Sequence, residues 1–379
     1  MTVRGFLTFV VGATMILVGL STGNSACMLT GGIAASALSL MFLSALISTL
    51  SLRVTQRITP QEVLRQNKCT LETRIFMLSF LPLAPLVMNI QLPTGRHSAF
   101  LIHPRPFGHT DTTNEFACPH VGEFSVGVEN ATLQDSLGMF RFHRRFNELQ
   151  TVRILPQAAA VSPVPIKPGS EEGPASAYAT TDYTTPEGIR GWMDGDELKR
   201  VHWKLSMSRR TLLVRTYEQQ NRPDTLILLN TGGIDPENLR SAFVIDALTE
   251  SCAGTVSRLL SENRPVCIPI AQTGGELRGE SMRAFESVQR MLAKLHFTDS
   301  DHFPETLELA APRLQRSGTL LIFSPVITPH ITEAVIRLSQ FGTGIRFTLA
   351  CREEIPKTDM KLLQMLVAAN IETFQVSIQ

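Results

Sequence analysis

Two long apolar runs open the chain. Between Arg4 and Arg53 lie 48 residues without a charged side chain. One spanning helix needs ~20 residues, so this stretch predicts two helices and a turn. The only polar cluster inside it is Ser21-Thr22-Gly23-Asn24-Ser25, which sets the first helix at about Gly5 to Leu20 and the second at about Ala26 to Leu50. Both are rich in Gly, Ala and Ser, residues that let two helices approach closely in lipid. Arg4 flanks one end, Arg53, Arg57 and Arg65 the other, and the turn has no Lys or Arg. The positive-inside rule then places both termini and everything after Arg53 in the cytoplasm, a two-pass protein of the cytoplasmic membrane. A cleaved signal peptide or a lipoprotein site at Ala26-Cys27 are rival readings. Neither explains a second apolar run, and Asn24 sits where a lipoprotein site expects an apolar residue.

After Arg53 the period changes to two. Thr70 to Ile75, Glu123 to Val128 and Thr151 to Leu155 alternate apolar with polar, punctuated by Pro82, Pro85, Pro93, Pro104 and Pro106. Short alternating runs with turn signals predict an antiparallel β-sandwich over residues 54–155. The apolar run from Ile75 to Ile90 could tempt a third span, but its two prolines favour a pair of buried strands. Residues 156–187, with six prolines among small residues, read as a linker.

From about 224 strands and helices alternate. Thr225 to Asn230 is a continuous apolar strand, as expected when both faces are buried. Asp235-Pro236 supplies an N-cap and a first helical residue for a helix to about Ser261. Strands follow at Val266–Ile270, Thr319–Phe323, Ile345–Ala350 and Ile371–Val376, with helices near 281–295, 304–315, 329–340 and 358–369. This alternation predicts a mostly parallel, doubly wound α/β sheet within residues 188–379. The length, 379 residues, fits such a division into two folded domains and an anchor.

Composition narrows the function. Lys plus Arg number 35 and Asp plus Glu 34, so no global basic charge suits nucleic acid. The six cysteines include no C-x-x-C pair, which argues against a zinc ribbon or disulfide scaffold and fits a reducing compartment. Walker A, H-E-x-x-H and G-x-S-x-G motifs are absent. His97, His103, His109 and His120, with Cys118, fall close together in sequence and form a candidate zinc set, against the alternative of ordinary loop histidines.

The densest unusual stretch runs from Ile189 to Ser206, followed by Leu212 to Glu218, and holds both tryptophans of the chain. Gly195-Asp196 reads as a turn. Leu198, Val201 and Trp203 are expected to bury. Lys199, Arg200, Lys204, Arg209, Arg210 and Arg215 form a basic cluster, open to three readings: an ion-pair network, a docking surface for a partner protein, or a contact with anionic lipid or nucleic acid. His202 has no nucleophile and acid around it in sequence, and reads as a packed or surface residue.

This stretch resembles the bacterial family still called domain of unknown function 58. The family's hallmark joins a G-D turn, a basic residue, a W-K-x-S phrase and a strand ending V-R-E. Gly195, Asp196, Arg200, His202, Trp203, Lys204, Ser206 and Arg215 carry the match. Asp135-Ser136-Leu137-Gly138-Met139-Phe140 resembles the D-x-x-G-L-F phrase of the family's sandwich, and Leu155-Pro156 its closing V-x-P. Trp192, Asp194 and Met207-Ser208 depart from the hallmark. The resemblance implies a membrane hairpin, a sandwich and a last domain like that of von Willebrand factor A. Such domains often hold Mg²⁺ through D-x-S-x-S after the first strand. Here that place reads Asn230-Thr231-Gly232-Gly233-Ile234, and Ser324-Pro325 follows a later strand, so no metal or other cofactor is expected. The resemblance further implies a non-enzymatic adaptor that docks a MoxR-type AAA+ ATPase at the membrane, with a transglutaminase-like membrane protein as a further partner and the eight matched residues as its interface. A metal-dependent hydrolase using the histidines and a structural envelope component are the alternatives.

Overall fold

The structure is a computed structural model. It describes residues 1–379 except 80, 82, 83, 94, 96, 106, 165–185, 194–200, 218–223, 237, 271–273, 301, 315, 316, 341–343, 352–355, 378 and 379. Contacts divide it into two compact units, one built on residues 1–157 and the other on most of 158–379.

The first unit starts with two antiparallel helices, α1 (Val3–Thr22) and α2 (Ser25–Ser51), both long and apolar enough to cross a membrane. Gly23, in the left-handed region at φ 66°, ends α1, and the Asn24 side chain accepts from the Ala26 N–H to start α2. Gly5, Gly12 and Gly19, seven residues apart, are the buried positions of α1. A Cβ at Gly19 or Gly31 would lie 2.6 Å from Met28 or Ile16, so the close approach requires glycine.

Nine strands follow: β1 (Arg53–Thr59), β2 (Glu62–Leu64), β3 (Lys68–Met77), β4 (Leu86–Gln91), β5 (His97–Ile102), β6 (Gly108–Ala117), β7 (Gly122–Gln134), β8 (Arg141–Arg145) and β9 (Gln150–Leu155). One sheet has the order β1-β3-β6, the other β2-β9-β7-β4-β5 with β8 also on β7. The apolar run from Ile75 to Ile90 supplies the end of β3 and most of β4. Ile58, Leu71, Ile75 and Phe116 from the first sheet and Met88, Ile90, Val126, Val128 and Ile154 from the second form one buried core. Pairing is antiparallel except between β2 and β9, which run parallel, a correction to the purely antiparallel expectation. The three-residue β2 is delivered by a crossover rather than a hairpin, and local pattern carries no record of that.

In the second unit, residues 158–164 belong to the stretch expected as linker, yet they lie against the folded α/β part. The Ala159 N–H donates to the Glu250 carbonyl at 3.3 Å, and the Arg258 guanidinium donates to the Val161 carbonyl at 2.9 Å. The rest of that linker, from 165 to 185, lies outside the described residues.

Then come β10 (Pro186–Gly191), α3 (Trp203–Arg209) and β11 (Leu213–Tyr217), followed by β12 (Asp224–Leu229), α4 (Leu239–Ser261), β13 (Val266–Ile270), β14 (Gly275–Gly279), α5 (Phe285–Ala293), α6 (Phe303–Leu314), β15 (Ser317–Ser324), α7 (Pro329–Ser339), β16 (Gly344–Cys351), α8 (Lys357–Ala368) and β17 (Glu372–Ser377). The large sheet has the order β14-β13-β12-β15-β16-β17, parallel except for β14. Leu226, Leu320, Ile322 and Phe347 bury one face against α6, α7 and α8, while α4 covers the other. Two local expectations change. Helix α4 starts at Leu239 under an Asn238 cap, one turn later than Asp235-Pro236 suggests, because the Asn238 N–H bonds the Asp235 carbonyl at 3.3 Å in a separate turn that follows the Ile234–Thr298 backbone bond. The edge strand β14 has no hydrophobic signature in the sequence, because Gly-Glu-Leu-Arg-Gly has a single apolar residue.

Candidate functional site

In open α/β sheets, ligands bind beyond the carboxyl ends of the strands, where the strand order reverses. In this sheet that point lies between β12 and β15, at Asn230 and Ser324. It is closed by its own polar groups. Asn230, 1% exposed, donates from Nδ2 to Ser324 Oγ at 2.9 Å and accepts from the Gly232 N–H at 2.8 Å. Ser324 Oγ in turn donates to the Val326 carbonyl at 2.5 Å. A Cβ at Gly232 would lie 2.2 Å from the Ser300 carbonyl, so the loop after β12 packs on that backbone too closely for any residue but glycine. The donors here are an amide and a hydroxyl, a poor set for a hard divalent cation, which prefers carboxylates.

The segment from β10 to β11 forms a second, separate two-stranded sheet. Ile189 stands opposite Arg215 and Arg190 opposite Val214, and Val201 makes a further bridge to Val214. Val201 and Val214 are buried. Helix α3 is clamped onto β11 from two sides. The His202 N–H donates to the Leu213 carbonyl at 2.8 Å, and the buried Ser206 hydroxyl accepts from the Leu213 N–H at 2.9 Å. His202 also caps the helix, its Nδ1 accepting from the Leu205 N–H at 3.3 Å. Arg210, left-handed at φ 54°, ends it.

These clamps turn the next residues outward. Trp203 is 57% exposed and Met207 80%, and at i and i+4 they share one helix face. The expectation that Trp203 packs inside is therefore corrected. It rested on strand-like alternation, whereas the chain turns helical at Trp203 itself and its inward position falls to Ser206. Met193, Leu212 and Ile189 are exposed in the same segment, as are the cationic residues Lys204, Arg209 and Arg210. Gly195, Asp196 and Arg200 lie outside the described residues, and of Arg215 only the strand position is described. The structure thus brings Trp203, Lys204 and Ser206 onto one short helix, with His202 as its N-cap. The i, i+4 pair of Trp203 and Met207 is the sequence signal for this exposed face.

The histidines of the sandwich do not converge. Among the described residues no group of three or more His, Cys, Asp or Glu side chains is placed to hold a metal ion. His97 faces Glu129 at 3.4 Å, His109 packs on the Phe76 ring, and Cys118 is wholly buried beside Cys69. Burial, reinforced by the neighbouring Cys69, pushes the Cys118 thiol up to about 12, and burial alone does the same at Cys252.

No protein-family model matches the chain, and no curated protein does. Among solved structures, the chain has partial likeness to the CARDB domain of the PF1109 protein from Pyrococcus furiosus in complex with di-metal ions, with 17% identity and a TM-score of 0.19 over 27% of this chain and 93% of that one. It has a similar likeness to an exo-β-N-acetylglucosaminidase from Vibrio harveyi, with 11% identity and a TM-score of 0.18 over 83% of this chain and 60% of that one. The exo-chitosanase CsxA from Amycolatopsis orientalis gives 9% identity and 0.17 over 87% of this chain and 32% of that one. Scores this low carry neither a fold nor an activity to this chain.

Proposed function

We propose that this protein is a two-pass adaptor of the cytoplasmic membrane, related to the family of domain of unknown function 58, that presents α3 to a MoxR-type AAA+ ATPase without catalysing a reaction itself. The observation that carries the reading is the outward Trp203–Met207 face on a helix clamped to β11 at its N-cap and its middle. Aromatic and long apolar side chains flanked by cations are the residues that anchor protein interfaces. A helix fixed by Ser206 and His202 loses little entropy on binding. The sheet order, with the switch point closed by Asn230 and Ser324, supports a von Willebrand factor A-like domain working without a metal. Arginines at one end of the helical pair and none at its turn support a cytoplasmic location for both units.

The test is affinity purification of the full chain in mild detergent, with and without ATP, read by mass spectrometry. Wild type is compared with Trp203→Ala and with Trp203→Ala, Lys204→Glu. Both side chains are exposed, so the fold persists. The expected result is an AAA+ ATPase that copurifies with wild type and is lost from the variants, since a hot-spot truncation costs about 2 kcal/mol or more. Copurification that is indifferent to Trp203 removes α3 as the interface, and absence of any ATPase in both nucleotide states removes the adaptor reading.

A further inference from the structure

Helix α2 outruns its partner. At 1.5 Å per residue its 27 residues extend about 40 Å, against about 30 Å for the 20 residues of α1. The two start together at the Gly23–Asn24 turn, so the excess falls at the end that meets the sandwich. There Ser44, Ala45 and Ser48 are buried, Leu52 joins the sandwich core, and Arg144 Nη1 donates to the Thr49 and Leu50 carbonyls at 2.6 and 2.9 Å.

The turn between β7 and β8 climbs alongside this overhang. Asp135 folds it: its Oδ1 accepts from the Phe140 N–H at 2.6 Å, and its carbonyl accepts from the N–H of Gly138, which sits at φ 72°. The turn touches both helices at one level. The Thr2 N–H donates to the Met139 carbonyl at 2.8 Å, and a Cβ on Gly5 would lie 2.5 Å from that same carbonyl oxygen. Phe140 packs edge-on against Phe42 with ring centroids 5.4 Å apart. Across the helix seam Gly19 faces Met28, Ile16 faces Gly31 and Gly12 faces Ala34, so Gly5 stands level with Phe42. Gly5 is also where the uncharged stretch begins, immediately after Arg4. The tip of the turn therefore lies where the charged part of the chain gives way to the apolar part. At that tip Leu137 is 52% exposed, and the exposed Arg141 follows at the start of β8.

We propose that the β7–β8 turn is a second membrane contact, in which Leu137 enters the boundary between headgroups and acyl chains of the bilayer that α1 and α2 cross, with Arg141 at the depth of the lipid phosphates. Half-inserted apolar side chains with a cation behind them are the chemistry of interfacial binding. The contact fixes the attitude of the sandwich to the membrane, because the sandwich is then held by α2, by Thr2 and by its own turn. This inference rests on the reading that α1 and α2 span the membrane.

The experiment uses the full chain in vesicles of phosphatidylcholine and phosphatidylglycerol. A nitroxide is placed at Leu137→Cys, at Ile33→Cys on the exposed middle of α2, and at Ser125→Cys, nine residues before the end of β7 and about 30 Å from the turn. All three are made on a Cys27→Ser parent, which is carried through the same labelling as background. Relaxation by oxygen, which partitions into lipid, is compared with relaxation by a water-soluble nickel chelate. The expected result is a lipid signature at Ile33, a water signature at Ser125, and at Leu137 a several-fold loss of nickel access relative to Ser125 with a gain in oxygen access. A lipid signature at Ile33 with Leu137 indistinguishable from Ser125 overturns the proposal and leaves the spanning helices standing. A water signature at Ile33 overturns both.

Discussion

Arg346 is the side chain whose replacement tests the packing of residues 158–164 most directly. It lies on β16 with 3% exposure, on the face of the sheet opposite Ile345 and Phe347. Its guanidinium donates to Glu372 at 2.8 and 3.1 Å, to the Ser162 carbonyl at 3.3 Å, and to the Pro163 carbonyl. Arg346→Met keeps most of the volume and removes every donor. Glu372 is half exposed and turns to water, so that half of the pair is worth little. Ser162 and Pro163, in the strap formed by residues 158–164, are exposed too, so their carbonyls find water in part and the loss is at the low end of what a hydrogen bond from a charged donor is worth, about 1.5 kcal/mol. Allowing for the long bond to Ser162, the strap loses about 1–2 kcal/mol, or about 5- to 30-fold in its opening equilibrium. The sheet itself is expected to hold, because an apolar side chain of similar size removes the cost of burying a charge. Hydrogen exchange on the full chain in detergent reads the two separately. The Ala159 amide, which donates to the Glu250 carbonyl, should exchange faster by that factor, while β15 and β16 keep their protection. Unchanged exchange at Ala159 would refute the reasoning, as would equal loss across the sheet.

Three further outcomes are expected. Gly31→Leu drives a side chain against Ile16 and the Gly12 carbonyl, which a Cβ would already approach to 2.6 and 3.0 Å, and should separate α1 from α2; crosslinking of cysteines placed across the seam checks it. Ser206→Ala leaves the Leu213 N–H without its acceptor and should lower the protection of α3 by about 1 kcal/mol, weakening partner capture without touching Trp203. The Cys118 and Cys252 thiols, held protonated to about 12 in the fold, ionise in the unfolded chain near their ordinary value of about 8.5. The unfolded state therefore binds fewer protons between those values, and stability should fall with rising pH across that window. Denaturant titrations at pH 8 and pH 10 on wild type and Cys118→Ala, Cys252→Ala test this, with the slope shallower in the variant.

The helical pair, the strands of the sandwich and the alternation of the last domain were legible from period and punctuation alone, because hydrophobic spacing reports which side of an element is dry. Long uncharged runs and buried parallel strands announce themselves in this way. The Asp135–Phe140 phrase and the Asn230-Thr231-Gly232 loop could be marked as special from sequence. What they do could not, since Asp135 acts by reaching the Phe140 N–H and Asn230 by meeting a serine 94 residues away. Only the tertiary structure decided that Trp203 points outward: the clamp on Leu213 selects Ser206 for the inside, and a seven-residue helix is too short for period to say so. Arg346 has no role readable from its neighbours in sequence, for a related reason. A lone cation in an apolar strand is legible only once Glu372 and the carbonyls of residues 162 and 163 have been brought to it by a fold that joins segments nearly 200 residues apart. Local sequence determines which elements form; the partners that give their polar residues a role are chosen by long-range packing.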